Sequence, residues 1–253
     1  MNEQPRRPGD EQPRERVHIK TPDRKPFVTY ALIVITVIVF IFQYLLRAVT
    51  GTDILFIYGG KINELIMLGQ FWRLLTPALL HGSILHIALN MYALYILGRR
   101  LEQFYGHGRF LLLYVLAAYA GNVLSFVLTP APSLGASTAV FGLLAAEGMF
   151  IYQNRKLFGQ HRTQQGIINL VIILMINLVF GFSPGTAIDN MGHIGGLIGG
   201  IFFAWKAGPV LKLMGQPPFL SLSDTREQRD IILACLVVVL GFAIIALIPF
   251  FQN

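Results

Sequence analysis

The sequence predicts an all-α fold, a polytopic bundle of membrane-spanning helices, and three observations support this prediction. Hydrophobic residues occupy 54% of the 253 positions. Charged residues occupy 13%, against roughly 25% in an average soluble domain. The chain also contains seven long apolar runs, and a helix needs about 20 residues to cross a bilayer core about 30 Å thick. Seven helices with short connections use nearly the whole chain, so we expect one membrane domain.

The seven apolar runs set the expected domain organisation. We expect a six-helix core over 27–208 with a large outer loop over 48–82, a cytoplasmic linker over 209–230 and a seventh transmembrane helix over 231–253. The expected spans are Phe27–Leu46, Ser83–Leu101, Phe110–Leu128, Ser137–Tyr152, Gly166–Phe182, Met191–Ala207 and Ile231–Phe251.

The first 26 residues differ in composition from the rest of the chain. They contain five prolines and seven Lys or Arg against five acidic residues, with few apolar side chains. Such a segment cannot bury enough apolar surface to fold, so we expect a disordered basic cytoplasmic tail over 1–26. We attribute the formal net charge of +7 to membrane topology, and we expect no nucleic-acid partner.

Basic residues are distributed unevenly between the two sides of the expected bundle. The segments on the side of the N-terminus hold 17 Lys or Arg, whereas the other side holds only Arg47, Lys61 and Arg73. Because basic loops remain cytoplasmic, we expect a multi-pass protein of the plasma membrane with its N-terminus in the cytoplasm and its C-terminus outside. The second, fourth and sixth spans then begin at the outer leaflet.

Few groups that can carry chemistry lie within the expected spans. Ionisable residues in membrane helices are costly and suggest function, and here they are His86, Glu147 and His193, with Glu102 at the inner end of the second span. No span contains a pair of aspartates, and no HExxH motif occurs. These absences argue against a two-carboxylate protease and a helical zinc protease. We expect no metal and no cofactor.

A serine and a histidine are the candidate catalytic residues. Ser137 begins the fourth span two residues after Gly135, and the free N–H groups of a helix N-terminus favour the negative charge that develops in acyl transfer. His193, near the start of the sixth span, carries an imidazole suited to acid–base catalysis near neutral pH. Gly195 and Gly196 help to leave one face of that span bare, so the two helices can pack closely. Close packing would bring Ser137 and His193 within hydrogen-bonding distance.

The second span contributes two further polar residues at its outer end. His86 and Asn90 are four positions apart and therefore share a helix face. Both side chains can donate a hydrogen bond to an oxyanion, alongside the backbone N–H of Ser137.

At these residues the sequence resembles the rhomboid family of intramembrane serine proteases, over about 70–209. The motifs concerned are the pair Trp72 and Arg73, the His-x4-His-x3-Asn of His81, His86 and Asn90, the Gly-x-Ser of Gly135 and Ser137, and the Gly-His-x-Gly-Gly of Gly192, His193, Gly195 and Gly196. The resemblance implies a six-helix rhomboid-like core plus one C-terminal transmembrane helix.

The resemblance also implies roles for single residues. Ser137 would be the nucleophile and His193 the general base, in a dyad without an acidic third member. His86 and Asn90 would complete the oxyanion hole, and Arg73 would brace an outer loop that lies partly in the outer leaflet.

Two positions depart from the family pattern. Thr138 stands where members usually have glycine, which adds bulk beside the nucleophile and the oxyanion pocket. Phe141 stands where some members have a tyrosine packed against the histidine. We therefore expect the ring of Phe141 to keep the stacking contact without the hydroxyl.

Three other polar residues have structural interpretations. We expect His81 to face water or lipid headgroups at the mouth of the second span. Asp189 precedes His193 by one helical turn, but it fits better as the N-cap of the sixth span than as a catalytic acid. Glu147 lies roughly 15 Å along its helix from Ser137, too far to join the site, and we expect it to pair with a basic residue on the inner side.

The leading functional hypothesis is an intramembrane serine endopeptidase. By the resemblance, its partners are single-pass transmembrane substrates, cleaved near the outer end of the transmembrane segment within the lipid bilayer. One alternative is a catalytically weak or inactive rhomboid-like protein that binds membrane clients. Another is a proton or ion transporter, which would need polar groups that continue to the inner side. The oligomeric state stays open.

Overall fold

A computed structural model describes residues 18–181 and 188–251 as an all-α membrane bundle with one small sheet. The elements of these described residues, in chain order, are β1 (His18–Lys20), α1 (Phe27–Thr50), α2 (Ile54–Gly59), α3 (Asn63–Met67), 3-10 helices over Phe71–Leu74 and Thr76–Leu79, α4 (Ile84–Tyr105), α5 (His107–Leu128), α6 (Ser137–Gln153), α7 (Arg155–Phe158), α8 (Gln160–Gly181), α9 (Asn190–Ala207), β2 (Leu211–Gln216), β3 (Phe219–Asp224), α10 (Gln228–Ala246) and a 3-10 helix over Ile248–Phe251.

Each of the seven expected spans coincides with one long helix: α1, α4, α5, α6, α8, α9 or α10. Within the described residues, four helical stretches are long and apolar enough to cross a membrane by length and composition alone, at 27–50, 107–128, 160–179 and 228–251. The helices α4, α6 and α9 do not reach that standard. Polar residues interrupt α4, and α6 has only 17 residues, which correspond to about 25 Å. Three parts of the expected organisation lie outside the described residues, namely 1–17 of the tail, 182–187 of the core and 252–253 of the seventh helix.

The bundle centre is formed where α9 packs between α5 and α6. The backbones approach so closely that a Cβ atom at Gly196 would lie 2.0 Å from the carbonyl oxygen of Thr138, and one at Gly200 would lie 2.4 Å from that of Gly142. Only glycine allows this spacing, and small residues at helix interfaces are typical of membrane bundles. The glycines expected to leave the sixth span bare therefore contact two helices, because Gly196 packs on α6 and Gly195 packs on α5.

An acidic side chain of α4 caps the first transmembrane helix. The Glu102 carboxylate accepts hydrogen bonds from the backbone N–H groups of Val28 and Thr29, at 2.8 Å each, and from the Thr29 hydroxyl at 2.6 Å. The first N–H groups of a helix have no partner within the helix. A carboxylate at this end also interacts favourably with the positive end of the helix dipole. Glu102 thus fixes the start of α1 against the end of α4.

The loop between α1 and α4 is folded around a buried arginine. Arg73 is 2% exposed, and its two terminal nitrogens each donate a hydrogen bond at 2.7 Å, to the carbonyl oxygens of Gly60 and Ile57. The indole N–H of Trp72 donates to the carbonyl oxygen of Tyr58 at 3.0 Å. These bonds hold α2 and the following 3-10 helices together, as the resemblance implied for Arg73.

The segments expected to be a disordered tail and a linker contribute a three-stranded sheet. Strand β3 pairs antiparallel with β2 and parallel with β1, in the order β1-β3-β2. Residues 18–20 of the expected disordered tail therefore form a strand, and the expected 209–230 linker contains the hairpin of β2 and β3. The Arg109 guanidinium binds the Asp224 carboxylate at 2.8 Å, which anchors the hairpin to α5. The strands β2 and β3 form a local hairpin, whereas β1 joins β3 from a distant part of the chain, a pairing that local sequence does not indicate.

Candidate active site

The two candidate catalytic residues lie side by side near one end of the bundle. Ser137 is the first residue of α6 and His193 lies in the first turn of α9. The distance between Ser137 Oγ and His193 Nε2 is 2.8 Å, within the range of a hydrogen bond between a nucleophile and its base. Ser137 is half-buried and His193 is 7% exposed. The packing of α9 on α6 has therefore produced the contact expected from the glycine pattern.

The backbone before Ser137 needs a glycine for two reasons. Gly135 has a φ of +130°, a region that residues with a side chain rarely adopt. A Cβ atom at this position would also lie 2.7 Å from His86 Nε2 and 3.6 Å from Ser137 Oγ. Gly135 thus gives the His86 ring access to the side of Ser137 Oγ.

The aromatic ring expected beside the histidine is in place. The rings of Phe141 and His193 are stacked, with centroids 4.1 Å apart and planes 13° apart. This contact orients the imidazole from one side while Ser137 contacts its Nε2. Among the described residues, His193 Nδ1 is buried and has no hydrogen-bond partner. Ser137 and His193 are thus in contact, and no described acidic side chain binds the second ring nitrogen.

Asp189 caps α9, as the sequence predicted. Its carboxylate accepts a hydrogen bond from the backbone N–H of Gly192 at 2.9 Å. It also accepts a hydrogen bond from the Ser125 hydroxyl of α5. The Ser125 bond ties the start of α9 to α5, and both bonds occupy the carboxylate away from His193 Nδ1. Ser125 was not singled out in the sequence, although a polar residue within an apolar span was an available signal.

The two expected oxyanion donors lie on the first turns of α4. His86 is half-buried and follows the helix cap Ser83, whose hydroxyl accepts from the His86 backbone N–H at 3.2 Å. Asn90 is 7% exposed, and its Nδ2 donates to the carbonyl oxygen of His86 at 3.0 Å. An amide nitrogen carries two N–H groups, so one bond to its own helix leaves Asn90 able to donate a second.

The structure corrects the interpretation of His81. Its side chain is 1% exposed and does not face water or headgroups. The backbone N–H of Ala136 donates to His81 Nε2 at 3.4 Å, and the His81 ring meets that of His86 edge-on with centroids 5.0 Å apart. Burial, with a smaller contribution from His86, lowers the pKa of His81 to about 3. His81 is therefore neutral at physiological pH and can accept this bond, which supports the residue before Ser137.

A buried lysine, which the sequence analysis counted only for topology, joins the outer loop to the segment before Ser137. Lys61 Nζ donates to the carbonyl oxygens of Thr129 and Ala131, at 2.8 and 2.7 Å, and to Asn63 Oδ1 at 3.1 Å. Burial lowers its pKa to about 8, against the opposing effect of nearby Asp189 and Glu64. Its backbone also pairs with Ser133.

The side chain of Thr138, which is larger than the glycine usual at this position, packs between helices. A Cβ atom at Gly121 of α5 would lie 2.5 Å from Thr138 Cβ, and one at Gly192 of α9 would lie 3.1 Å from Thr138 Cγ2. These two glycines provide the space in which the threonine side chain packs, so its bulk is directed at the α5 and α9 interface. Among the described residues, no group of three or more His, Cys, Asp or Glu side chains is placed to hold a metal ion.

Glu147 lies outside the site, at the other end of α6. Its carboxylate binds the Arg100 guanidinium of α4 at 3.0 Å, so the expected pairing with a basic residue is confirmed. The sequence could not name this partner, because Arg100 and Glu147 belong to different helices.

Comparison with known proteins identifies the family. The family model described as Rhomboid domain matches residues 68–210, more than half of the chain. Rhomboid protease GluP of Bacillus subtilis (strain 168) is 46% identical over 184 residues, which are 73% of this chain and 35% of that protein.

Two eukaryotic relatives extend the comparison. RHOMBOID-like protein 9, chloroplastic, of Arabidopsis thaliana is 35% identical over 62% of this chain and 36% of its own length. Rhomboid-like protease 3 of Toxoplasma gondii is 38% identical over 52% of this chain and 50% of its own length. The chain thus spans about a third to a half of the length of these relatives. With the family model covering most of the bundle, the chain belongs to the rhomboid family.

Proposed function

We propose that this multi-pass membrane protein is an intramembrane serine endopeptidase. The observation that carries the proposal is the 2.8 Å contact between Ser137 Oγ and His193 Nε2 at the start of two tightly packed helices. The name of the Bacillus subtilis relative, a rhomboid protease, supports the same reaction class.

In the proposed reaction, His193 accepts the proton of the Ser137 hydroxyl as Oγ attacks the carbonyl carbon of the scissile peptide bond. A serine hydroxyl is a weak nucleophile until a positioned base takes its proton. The protonated imidazole then donates that proton to the leaving amine, and an acyl-enzyme remains on Ser137. Attack by a water molecule, with His193 again accepting a proton, releases the acid and restores the serine.

The oxyanion formed in each step is proposed to lie between the start of α6 and the first turns of α4. The Ser137 backbone N–H belongs to the helix N-terminus, where N–H groups lack partners within the helix. His86 lies against Gly135 beside the serine, and Asn90 follows one turn later on the same helix. Donors fixed in a water-poor site stabilise developing charge strongly.

The proposed substrates are single-pass transmembrane proteins, cleaved near one end of the membrane segment. The Ser137 site lies near one end of the bundle, at the start of α6 and α9. A lipid-embedded substrate helix therefore meets the nucleophile close to the membrane interface. Local unwinding is needed there, because a peptide bond must leave its helical hydrogen bonds to be attacked.

Covalent labelling tests the proposed nucleophile and the reaction class together. A fluorophosphonate probe incubated with the purified full-length chain in liposomes is expected to modify Ser137, as mapped by peptide mass spectrometry. The same preparation is expected to cleave at least one member of a panel of single-pass substrates, and preincubation with the probe should stop cleavage. Modification of Ser125 or Ser223 instead of Ser137, or cleavage that survives complete labelling, would contradict the proposal.

Loss of the oxyanion donors should reduce turnover without unfolding the protein. Removing one such donor typically lowers kcat by about 10²- to 10³-fold, so His86→Ala and Asn90→Ala are each expected to fall in this range. The measurement is the initial rate of substrate cleavage in liposomes, with the melting temperature recorded in parallel. Leu89→Ala, an exposed position on the same helix turn, should keep its rate. Unchanged rates in both donor variants would place the oxyanion elsewhere.

The proposed orientation places the N-terminus in the cytoplasm, the Ser137 site near the outer leaflet and the chain in the plasma membrane. The uneven distribution of basic residues between the two sides supports it. With Cys235 replaced by alanine, a cysteine at Ala131 should react with a membrane-impermeant thiol reagent in intact cells. Cysteines at Gln160 and Gln216, which are equally exposed positions, should react only after lysis. The reverse pattern would invert the proposed topology.

A further inference from the structure

A cavity lies at the end of the bundle opposite the Ser137 site. It has a volume of about 450 Å³ and is formed between the segment that precedes α1 and the last turns of α4. Arg99 lies about 20 Å further along α4 than His86, at a rise of 1.5 Å per residue. We call this space the basic cavity, because the described residues lining it include Arg24, Lys25, Arg99 and Arg100 but only one acidic residue, Asp23.

The walls of the basic cavity are held in place by contacts between its two sides. Gln103 Nε2 donates to the carbonyl oxygen of Pro22 at 2.7 Å, and Glu102 caps the start of α1. Arg24 reaches α4 itself, since a Cβ atom at Gly106 would lie 3.0 Å from Arg24 Nη1. The cations of the pre-helical segment and those of α4 therefore face one space that exists before any ligand enters.

The positive charge of the cavity is only partly compensated. Arg100 binds Glu147 at 3.0 Å, and Asp23 lies in the wall. Within the described part of the chain, Arg24, Lys25 and Arg99 form no salt bridge with a carboxylate. The Arg99 guanidinium is oriented by its own helix, because it donates to Tyr95 Oη at 2.6 Å and lies 4.8 Å from the centre of that ring.

An apolar surface continues from the cavity along α1 and α4. The rings of Tyr30 and Tyr95 lie 6.3 Å apart, and tyrosines are enriched where a membrane protein meets the headgroup layer. On α4, the side chains of Ile96 and Tyr92 lie three and seven residues before Arg99 and are 51% and 68% exposed. A ligand with an anionic head and apolar chains would contact both surfaces at once.

We propose that the basic cavity binds the headgroup of an anionic phospholipid such as phosphatidylglycerol. Its phosphate would lie between Lys25 and Arg99, and its acyl chains would follow the exposed side of α4 past Ile96. Basic pockets between transmembrane helices are suited to anionic headgroups, and guanidinium groups match the geometry of phosphate oxygens. The lipid is favoured over free phosphate because the apolar surface adjoins the cations.

Native mass spectrometry of the full-length chain, with phosphatidylglycerol or phosphatidylcholine added at equal concentration, tests the proposal. Phosphatidylglycerol is expected to bind preferentially. The Lys25→Gln, Arg99→Gln double variant should bind it about 30-fold more weakly, since each basic group near a membrane surface contributes about fivefold. Both side chains are exposed, so the melting temperature in phosphatidylcholine should not change.

The matched control is the Arg155→Gln, Lys156→Gln double variant. It removes the same charge, and Arg155 also lies over a tyrosine ring, 4.5 Å from the centre of Tyr152, but neither residue lines the cavity. This control should retain binding. Equal weakening in both double variants would show general surface attraction and overturn the proposal, as would unchanged binding in the Lys25 and Arg99 variant. Competition by glycerol phosphate at the same concentration as the lipid would overturn the choice of a lipid.

Discussion

The Ser137→Ala variant is expected to lose substrate cleavage almost completely, by a factor on the order of 10⁶ in kcat. His193→Ala should lose about as much, because the serine hydroxyl is unreactive without its base. The double variant should be scarcely slower than either single variant, since two groups that act as a unit are strongly non-additive. The measurement is single-turnover cleavage of a single-pass substrate in liposomes.

Matched controls separate loss of chemistry from loss of structure. Ser223→Ala and His161→Ala change the same residue types at exposed positions of β3 and α8, and both should keep full activity. The melting temperature of the Ser137 variant should remain close to that of the parent, because the serine is half-buried and its hydroxyl contributes little packing. The His193 variant should melt somewhat lower, because it loses a buried ring stacked on Phe141. A Ser137→Ala protein that still cleaves, or two single losses that multiply in the double variant, would rule out the dyad.

The Gly196→Val variant is expected to lose both activity and structure. A Cβ atom at this position would lie 2.0 Å from the Thr138 carbonyl oxygen, far inside van der Waals contact, so α9 must move away from α6. Well-packed interiors do not absorb such volume without backbone shifts. The displacement would separate His193 from Ser137, because each belongs to one of the two helices. We expect a melting temperature at least several degrees lower and no measurable cleavage.

Gly241→Val is the control for this substitution. Gly241 lies within α10, and nothing approaches the position of its missing Cβ atom within 4 Å. Valine also has a higher helix propensity than glycine, so the variant should melt at or slightly above the parent temperature and keep its activity. If Gly196→Val behaves like Gly241→Val, the contact between α6 and α9 is looser than the structure indicates.

Much of the fold was readable from the sequence because its signals are local. Each apolar run became a helix, since bilayer thickness fixes the length that such a run must have. The glycine pattern around His193 also predicted close helix packing, and in the structure these glycines pack on both α5 and α6. The expectation of a disordered tail missed the strand at 18–20, because its pairing with β3 depends on a distant part of the chain.

The candidate site was predicted in its residue types but not in its supporting contacts. Ser137, His193, His86 and Asn90 could be chosen because polar residues in apolar spans are rare and costly. The burial of His81 and the hydrogen bonds of Lys61 could not be predicted, because an exposed and a buried residue of a loop have the same local sequence pattern.

The sequence by itself determined which segments are membrane helices and which polar residues they carry, since both follow from local composition. Only the tertiary structure decided which of those residues meet. The pairing of Arg100 with Glu147, of Lys61 with the carbonyl oxygens of Thr129 and Ala131, and of β1 with β3 each joins parts of the chain that are distant in sequence. The physical reason is that desolvated charges and unpaired backbone groups need partners, and the packing of helices, loops and strands decides which partners are within reach.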